Sequence, residues 1–191
     1  DGEPSGLSWR KRLNAADPLT GATGGIFDSN IHHNYFGMYT FEAYQVDVLR
    51  SEVHDNISYG IDPHDYSQDF EVAFNEVYDN AQHGIMMDRG TNNNHIYANT
   101  VYRNQDGVAI FQSSNNLIEN NFLHHNLRGV RINATFDVDD RFDGISTGNQ
   151  VINNRIEDNT EQGLYLYARA DRNVIADNQI LRSGANGIYI K

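Results

Sequence analysis

The stretch that decides the fold is Val101-Tyr-Arg-Asn-Gln-Asp-Gly-Val-Ala-Ile-Phe111. An aliphatic residue is followed three positions later by an asparagine, and then by a glycine that opens a segment of alternating inward and outward positions. Alternation with a period of two places successive side chains on opposite faces of a β-strand. The stretch therefore predicts two short strands separated by a turn.

The same arrangement recurs along the chain with a period of about 23 residues. The glycines that open the alternating segments are separated by 23, 24, 23, 22, 34 and 24 residues. They are Gly37, Gly60, Gly84, Gly107, Gly129, Gly163 and Gly187, and Asn34, Asn56, Asn80, Asn104, Asn126 and Asn159 run in phase with them. The step of 34 residues predicts an insertion within Asn133 to Asn149. A fixed period of this length is typical of a solenoid.

The repeat predicts an all-β fold, a parallel β-helix of seven to eight coils over residues 25–191. A helical solenoid would need apolar spacing near 3.6, which no segment sustains. The 24 asparagines and 16 glycines suit the turns of a coil because both residues tolerate left-handed backbone. Residues 1–24 are polar, so we expect an irregular segment there and a chain cut from a longer protein.

Composition excludes several classes of function. The formal charge is −12, from 26 acidic and 14 basic residues, which argues against binding to nucleic acid or to an anionic membrane. The absence of cysteine excludes thiol catalysis, zinc–thiolate sites and disulfides. No apolar run approaches the ~18 residues of a membrane-spanning segment.

Equal positions of successive coils become neighbours in space, about 4.8 Å apart. Counted from each glycine, positions +1 and +3 are predicted to point into the core. These are Met38 and Thr40, Ile61 and Pro63, Ile85 and Met87, Val108 and Ile110, Val130 and Ile132, Leu164 and Leu166, and Ile188 and Ile190. Positions +2 and +4 are predicted to point outward, onto one exposed face.

Stacking the outward positions predicts a cluster of titratable side chains. His64 falls beside Asp88 of the next coil, Asp65 beside Arg89, and Tyr59 beside His83. An imidazole beside carboxylates suits proton transfer, and an arginine can hold a substrate carboxylate through paired hydrogen bonds. The candidate catalytic residues are Tyr59, Asp62, His64, Asp88 and Arg89, and the candidate substrate-binding residues are Phe41, Asp65, His83, Phe111, Gln112, Arg131, Tyr165 and Tyr167.

No metal site and no required cofactor are predicted. The acidic run Asp137, Asp139, Asp140 and Asp143 is a candidate for calcium, although a solvated acidic loop beside the groove is the favoured interpretation. The pairs His32-His33 and His124-His125 are interpreted as surface turns.

The heptapeptide Tyr59-Gly-Ile-Asp-Pro-His-Asp65 resembles the signature of mannuronan C5-epimerases. The stretch from Gly25 to about Asn126, including Val53-His-Asp-Asn56 and His83-Gly-Ile85, is similar to the periplasmic type of that family. The resemblance implies a right-handed β-helix that converts β-D-mannuronate to α-L-guluronate within alginate. It also implies an anionic polysaccharide as partner and a periplasmic or secreted location.

The resemblance implies a role for each residue of the motif. Tyr59 and His64 would remove and return the proton at C5, and Asp62 and Asp65 would orient and polarise. Asp88 or Arg89 would complete the site, the arginine neutralising the uronate carboxylate. We favour His64 as the group that removes the proton and Tyr59 or a water as the donor, with the reverse assignment left open.

Three other functions compete with epimerisation. An alginate lyase would abstract the same proton and then expel the 4-linked sugar by β-elimination, with the same residues. A non-catalytic β-helix would only bind polysaccharide. A glycoside hydrolase would use paired carboxylates, but His64 and Arg89 would then have no role.

Overall fold

The computed structural model describes residues 5–10, 22–134 and 144–191, and within these ranges the chain forms 22 β-strands and no helix. Because the described residues contain no helix, none of their segments is a helix long and apolar enough to cross a membrane. The chain winds through three parallel sheets in turn, and each strand pairs with the equivalent strand of the next coil. The predicted all-β parallel β-helix is confirmed.

The strands of each sheet follow the coils in order. Sheet A contains β1 Ser5–Arg10, β4 Phe36–Phe41, β7 Ile61–Asp62, β10 His83–Asp88, β13 Asp106–Phe111, β16 Arg128–Asn133, β19 Leu164–Tyr167 and β22 Ile188–Ile190. Sheet B contains β2 Ala22–Phe27, β5 Ala43–Leu49, β8 Glu71–Ala73, β11 His95–Tyr97, β14 Leu117–Glu119, β17 Gln150–Ile152 and β20 Val174–Ala176. Sheet C contains β3 Asn30–His32, β6 Glu52–His54, β9 Glu76–Tyr78, β12 Thr100–Tyr102, β15 Phe122–His124, β18 Arg155–Glu157 and β21 Gln179–Leu181.

The register of sheet A is the one that the glycine spacing predicts. Val108 pairs with Ile85 of the preceding coil and with Val130 of the following coil. The inward positions from Met38 to Leu166 are all buried. The expectation was wrong for Ile188 and Ile190, which are 48% and 69% exposed, because β22 is the edge strand of the sheet and packs against β19 alone.

The ladder glycines are required by close approach between coils. A Cβ added to Gly84 would lie 2.5 Å from Val101 Cγ1 and 2.8 Å from the carbonyl oxygen of Gly107. The left-handed backbone expected of the turns is taken by the residue before each ladder asparagine, such as Arg103 before Asn104, at a φ of 54°. The left-handed turns are therefore separate from the glycine and asparagine ladders.

Asparagines form three ladders, one at each corner of the coil, where the sequence indicated one. Asn99 is representative of the ladder between sheets B and C. Its Nδ2 donates to the carbonyl oxygen of Val72 at 2.8 Å and to Asn121 Oδ1 at 3.0 Å. Its Oδ1 accepts from the backbone N–H and the side chain of Asn75. An amide both donates and accepts, so the same residue can be repeated indefinitely along the stack.

The expected irregular N-terminal segment needs correction. Strand β1 pairs in parallel with β4, and Ser5 to Arg10 therefore belong to the solenoid. Strand β2 begins at Ala22, before the expected boundary at Gly25. The polar composition hid β1, because β1 follows no ladder spacing that a reader could recognise. Residues 1–4 and 11–21 lie outside the described residues.

The predicted insertion is described only at its edges. Asn133 ends β16, and residues 144–149 lead into β17. The calcium candidates Asp137, Asp139, Asp140 and Asp143 lie outside the described residues.

The asparagine ladders predict a large effect of a single truncation. Asn99→Ala removes a buried amide and leaves the carbonyl oxygen of Val72 and the side chain of Asn75 without partners, which should lower the free energy of unfolding by about 2–3 kcal/mol. Asn186→Ala, at an exposed position, is the matched control and should stay within ~0.5 kcal/mol of wild type. Urea unfolding followed by circular dichroism measures both. Equal midpoints for the two variants would contradict the importance of the ladder.

Candidate active site

The motif Tyr59 to Asp65 interrupts sheet A. Strand β7 is only two residues long because it ends at Pro63, which has no N–H to donate. Asp65 and Tyr66 then take left-handed backbone, with φ of 37° and 61°. His64 therefore lies between a short strand and a sharp turn, which moves its side chain away from the regular face of the sheet.

The backbone of His64 is held by two hydroxyl groups. Its N–H donates to Thr40 Oγ1 at 3.3 Å, and its carbonyl oxygen accepts from Ser67 Oγ at 2.6 Å. Thr40 and Ser67 are also 2.8 Å apart and both are fully buried. The one polar residue in the inward stack thus anchors the strongest catalytic candidate.

The side chain of His64 lies between two carboxylates, as the stacking predicted. Its Nδ1 is 2.7 Å from Asp65 Oδ2, and its Nε2 is 3.4 Å from Asp88 Oδ2 on the next coil. Burial alone would lower the pKa of His64, but the charge of Asp62 and the contacts with Asp65 and Asp88 raise the pKa to about 10. In the free protein at neutral pH, His64 is therefore an imidazolium.

Asp62 is fully buried, and neither of its carboxyl oxygens has a hydrogen-bond partner. Burial raises the pKa of Asp62 to about 7, with the charges of His64 and Asp88 acting in opposite directions. A large fraction of Asp62 is therefore protonated at neutral pH, and its carboxylic acid can donate a hydrogen bond.

The outward positions were expected to be exposed, and for the +2 position this was wrong. Asp62, Met86 and Ala109 have between 0% and 1% of their surface exposed. The ring of His83, from the position before the glycine, contacts the ring of Phe111 at the strand end, with centroids 5.4 Å apart. Because these large side chains lean together over the small position between them, the middle of the face is covered.

Asp65 connects His64 to the arginine of the site. Tyr39 Oη donates to Asp65 Oδ2 at 3.3 Å, and Arg89 Nη1 lies 3.9 Å from Asp65 Oδ1. Burial would raise the pKa of Asp65, but the hydrogen bond from His64 and the nearby positive charges keep it below its usual range. The side chain of Arg89 is 46% exposed, so its guanidinium is open to an anion from solvent.

The ring of Tyr59 is packed between two other rings. Phe36 lies at a centroid distance of 5.2 Å, and His83 stacks at 5.0 Å with an interplanar angle of 19°. Burial, together with the charges of Asp62 and Asp88, raises the pKa of Tyr59 to about 12. Its phenol is therefore protonated at neutral pH.

A second group of charges adjoins His83. Asp106 is fully buried, with Oδ2 3.0 Å from His83 Nδ1 and Oδ1 accepting from Arg128 Nε at 2.5 Å. Arg131 Nη1 is 3.6 Å from Asp106, and its guanidinium lies over the ring of Phe111 at 4.7 Å. The structure thus joins His83, Phe111 and Arg131 in one contact group.

Sequence reasoning missed Asp106, Arg128, Tyr39 and Phe36. Asp106 and Arg128 occupy the position before the glycine, the same column as Tyr59 and His83, and reading that column two coils further would have found them. Tyr39 was placed on the outward face, but its bond to Asp65 depends on how the side chain leans.

The remaining candidates lie on sheet A at a distance from His64. Phe41 ends β4 and is partly buried, and Gln112 follows β13 and is 6% exposed. Tyr165 and Tyr167 lie on β19, four coils beyond β7, which corresponds to about 19 Å along the axis. These two tyrosines are therefore remote from the His64 cluster. Among the described residues there is no group of three or more side chains that could hold a metal ion.

Comparison with known proteins gives one family match. The sequence model of the right handed beta helix region matches residues 19–123 and 64–191. The mannuronan C5-epimerase AlgG of Azotobacter vinelandii is 34% identical over 155 residues, which make up 67% of this chain and 29% of that protein. The mannuronan C5-epimerase of Pseudomonas aeruginosa is 31% identical over 185 residues, 81% of this chain and 32% of that protein. The chain spans about a third of the length of these curated relatives.

Solved structures agree on the fold. The crystal structure of the periplasmic alginate epimerase AlgG superposes with a TM-score of 0.74 at 24% identity, covering 96% of this chain and 52% of that one. The A-module of the Azotobacter vinelandii mannuronan C-5 epimerase AlgE4 gives a TM-score of 0.60 at 15% identity, covering 87% and 55%.

The carboxylates around His64 predict how its imidazole titrates. We expect an NMR titration of wild type to give a pKa near 10, and Asp65→Asn to lower it because one charge-assisted hydrogen bond is lost. Since the folded pKa lies above the unfolded value, the stability that His64 contributes is complete below about pH 6.5 and is lost as the pH rises through about 10.

The matched control is Asp55→Asn, because His54 Nδ1 lies 2.6 Å from Asp55 in the same His-Asp arrangement on sheet C. This control should leave the titration of His64 unchanged. A pKa of His64 near 6.5 in wild type would contradict the geometry described above.

Proposed function

This chain belongs to the right-handed β-helix family and its relatives are mannuronan C5-epimerases, and on that premise we propose that it converts β-D-mannuronate to α-L-guluronate within alginate. The observation that carries the proposal is the position of His64, between Asp65 and Asp88 with the open guanidinium of Arg89 alongside. Epimerisation at C5 requires a base, an acid and a cation for the uronate carboxylate. The cluster contains all three.

Removal of the C5 proton is the difficult step. The carbon lies next to a carboxylate, so breaking its C–H bond moves an electron pair toward the carboxylate and builds enolate charge. Arg89 neutralises part of this charge, and Asp62, in its protonated form, donates a hydrogen bond to the same oxygens. The group of lowest solvent exposure thus acts where the charge develops.

His64 and Tyr59 have both a proton to give and a proton to lose. Each is protonated in the free site, so the one that serves as base must first be deprotonated. The pKa of His64 is about 10 and that of Tyr59 about 12, so His64 loses its proton more readily. We therefore assign the base to His64 and the acid to the Tyr59 hydroxyl.

In this sequence the C5 proton moves to His64 and the electron pair moves into the enolate. The phenol of Tyr59 then gives its proton to the opposite face of C5, which inverts the centre, and both groups return to their starting state by exchange with solvent. A lyase would instead expel the 4-linked oxygen from the same enolate.

The substrate is proposed to be the anionic polymer itself, lying along the outer face of sheet A. Arg89 and Arg131 give this face local positive charge in a chain whose formal charge is −12. Tyr165 and Tyr167, further along the axis, offer exposed aromatic surface to sugars several residues from the reacting one. Because a matching structure is described as periplasmic, we place this chain in the periplasm as well. No cofactor is proposed for the reaction, and calcium is tested as an addition.

The proposal predicts a specific change in polymannuronate. Incubation with the protein in deuterated buffer, with and without calcium, should produce guluronate signals in the proton NMR spectrum and deuterium at C5. His64→Ala should lower the rate by about 10²–10⁴-fold, because one proton-transfer group is lost. His54→Ala, which alters the equivalent His-Asp pair on sheet C, should leave the rate unchanged.

Other products would redirect the proposal. An unsaturated sugar end absorbing near ~235 nm would identify a lyase, since β-elimination creates a conjugated double bond next to the carboxylate. A polymer that is bound but unchanged by wild type would overturn the enzymatic function.

The assignment of base and acid predicts the dependence of the rate on pH. If neutral His64 is the base, kcat/KM rises about tenfold per pH unit until it levels near pH 10. Asp65→Asn, which lowers the pKa of His64, moves this rise to lower pH. If His64 were the acid, kcat/KM would instead fall above about pH 10. Reactions without protein at each pH correct for alkaline cleavage of the polymer.

A further inference from the structure

Asp106 is a buried carboxylate for which the mechanism above has no direct use. None of its surface is exposed, and it contacts His83, Arg128 and Arg131 from three different strands of sheet A. Burial would raise the pKa of Asp106, but the hydrogen bonds and charges of His83 and Arg128 keep it below the usual range. The carboxylate is therefore ionised, at a position where an uncompensated charge would be costly.

The contacts of Asp106 lead through one side chain to the active site. His83 Nδ1 is 3.0 Å from Asp106 Oδ2, so the carboxylate holds the imidazole by that nitrogen. The other side of the same ring stacks on Tyr59 at 5.0 Å, and its edge meets Phe111 at 5.4 Å. His83 is only 4% exposed, so it is fixed on every side.

We propose that Asp106 is a positioning residue of the reaction, which fixes His83 so that the stacked ring of His83 fixes the Tyr59 hydroxyl over the sugar. This inference rests on the proposed function and extends it by two residues. Arg128 completes the arrangement, since its Nε donates to the carboxylate oxygen that His83 leaves available.

The order of side chains along one column supports this role. The position before each glycine reads Phe36, Tyr59, His83, Asp106 and Arg128 in successive coils. Each member contacts the next: two ring contacts, then an imidazole–carboxylate contact, then a carboxylate–guanidinium pair. The column is thus a continuous support that ends at the tyrosine of the motif.

Positioning of this kind has a characteristic cost when it is lost. A displacement of about 1 Å at a reacting group can reduce a rate by about 10²-fold, and loss of a carboxylate that orients a histidine typically costs 10–100-fold. Substrate affinity depends on Arg89 and the outer face, which Asp106 does not touch. Loss of Asp106 should therefore lower kcat and leave KM nearly unchanged.

The test compares two His–carboxylate pairs of the same kind. Asp106→Asn should lower kcat about 10–100-fold while KM changes by less than about threefold. The control is Glu119→Gln, because Glu119 Oε1 lies 2.8 Å from His95 Nε2 on adjacent coils of sheet B, away from the site. This control should keep the kcat and KM of wild type. The C5 exchange assay with polymannuronate provides both constants.

A double-mutant cycle tests whether Asp106 acts through His83. His83→Phe keeps a ring between Tyr59 and Phe111 but loses the contact with Asp106, so kcat should fall by about tenfold or more. In the His83→Phe background, Asp106→Asn should then cost little more. Multiplication of the two effects would mean that Asp106 acts independently of His83, which overturns the proposal.

The outcomes separate this inference from the proposed function. Absence of C5 exchange in wild type would overturn the function itself. Exchange in wild type together with wild-type kcat in Asp106→Asn would overturn only the role of Asp106. If Asp106→Asn does not fold, as judged by circular dichroism, His83→Phe decides, and a wild-type kcat in that variant would also overturn the inference.

Discussion

The structure depends on one constraint, the stacking of each residue on its equivalent in the next coil. The parallel register places these residues about 4.8 Å apart, so every side chain has a neighbour of the same position above and below it. An apolar residue gains from such a neighbour, and an asparagine both gives and receives a hydrogen bond. A charge does not, as Asp47 illustrates, because burial and the stacked Glu71 together raise its pKa.

Charged positions on the solenoid are accordingly paired with opposite charges on adjacent coils. Arg103 and Asp79, Arg182 and Asp158, and Arg50 and Asp28 are all pairs of this kind at exposed turns. The active site departs from this pattern. Asp62, Asp65 and Asp88 surround one imidazole, and the excess of negative charge holds a proton on His64 and also raises the pKa of Asp62. The departure is what produces titration near the range in which an enzyme works.

Much of this arrangement follows from the sequence, because the coil spacing converts sequence position into spatial order along the axis. The contacts of His64 with Asp88 and of Tyr59 with His83 follow from position alone. Contacts across the sheet do not follow, since they depend on how far a side chain leans. His83 reaches Phe111 over Ala109, and this lean both buries the middle of the face and brings Asp106 into play. The strand β1 was missed for a related reason, because a strand without its turn signals gives no repeat to follow.

The charge balance of the site also explains how an acidic protein can accept an acidic substrate. Asp65 and Asp88 together carry up to two negative charges, and His64 with Arg89 carries two positive ones, so Asp62 decides the sum. A substrate carboxylate beside Arg89 adds one negative charge close to Asp62 and raises its pKa further, which favours the protonated form. Neutral Asp62 removes the repulsion that would oppose binding, and it is also the form that donates a hydrogen bond to the developing enolate. Binding and catalysis therefore require the same protonation state, and the burial of Asp62 is what makes that state available near neutral pH.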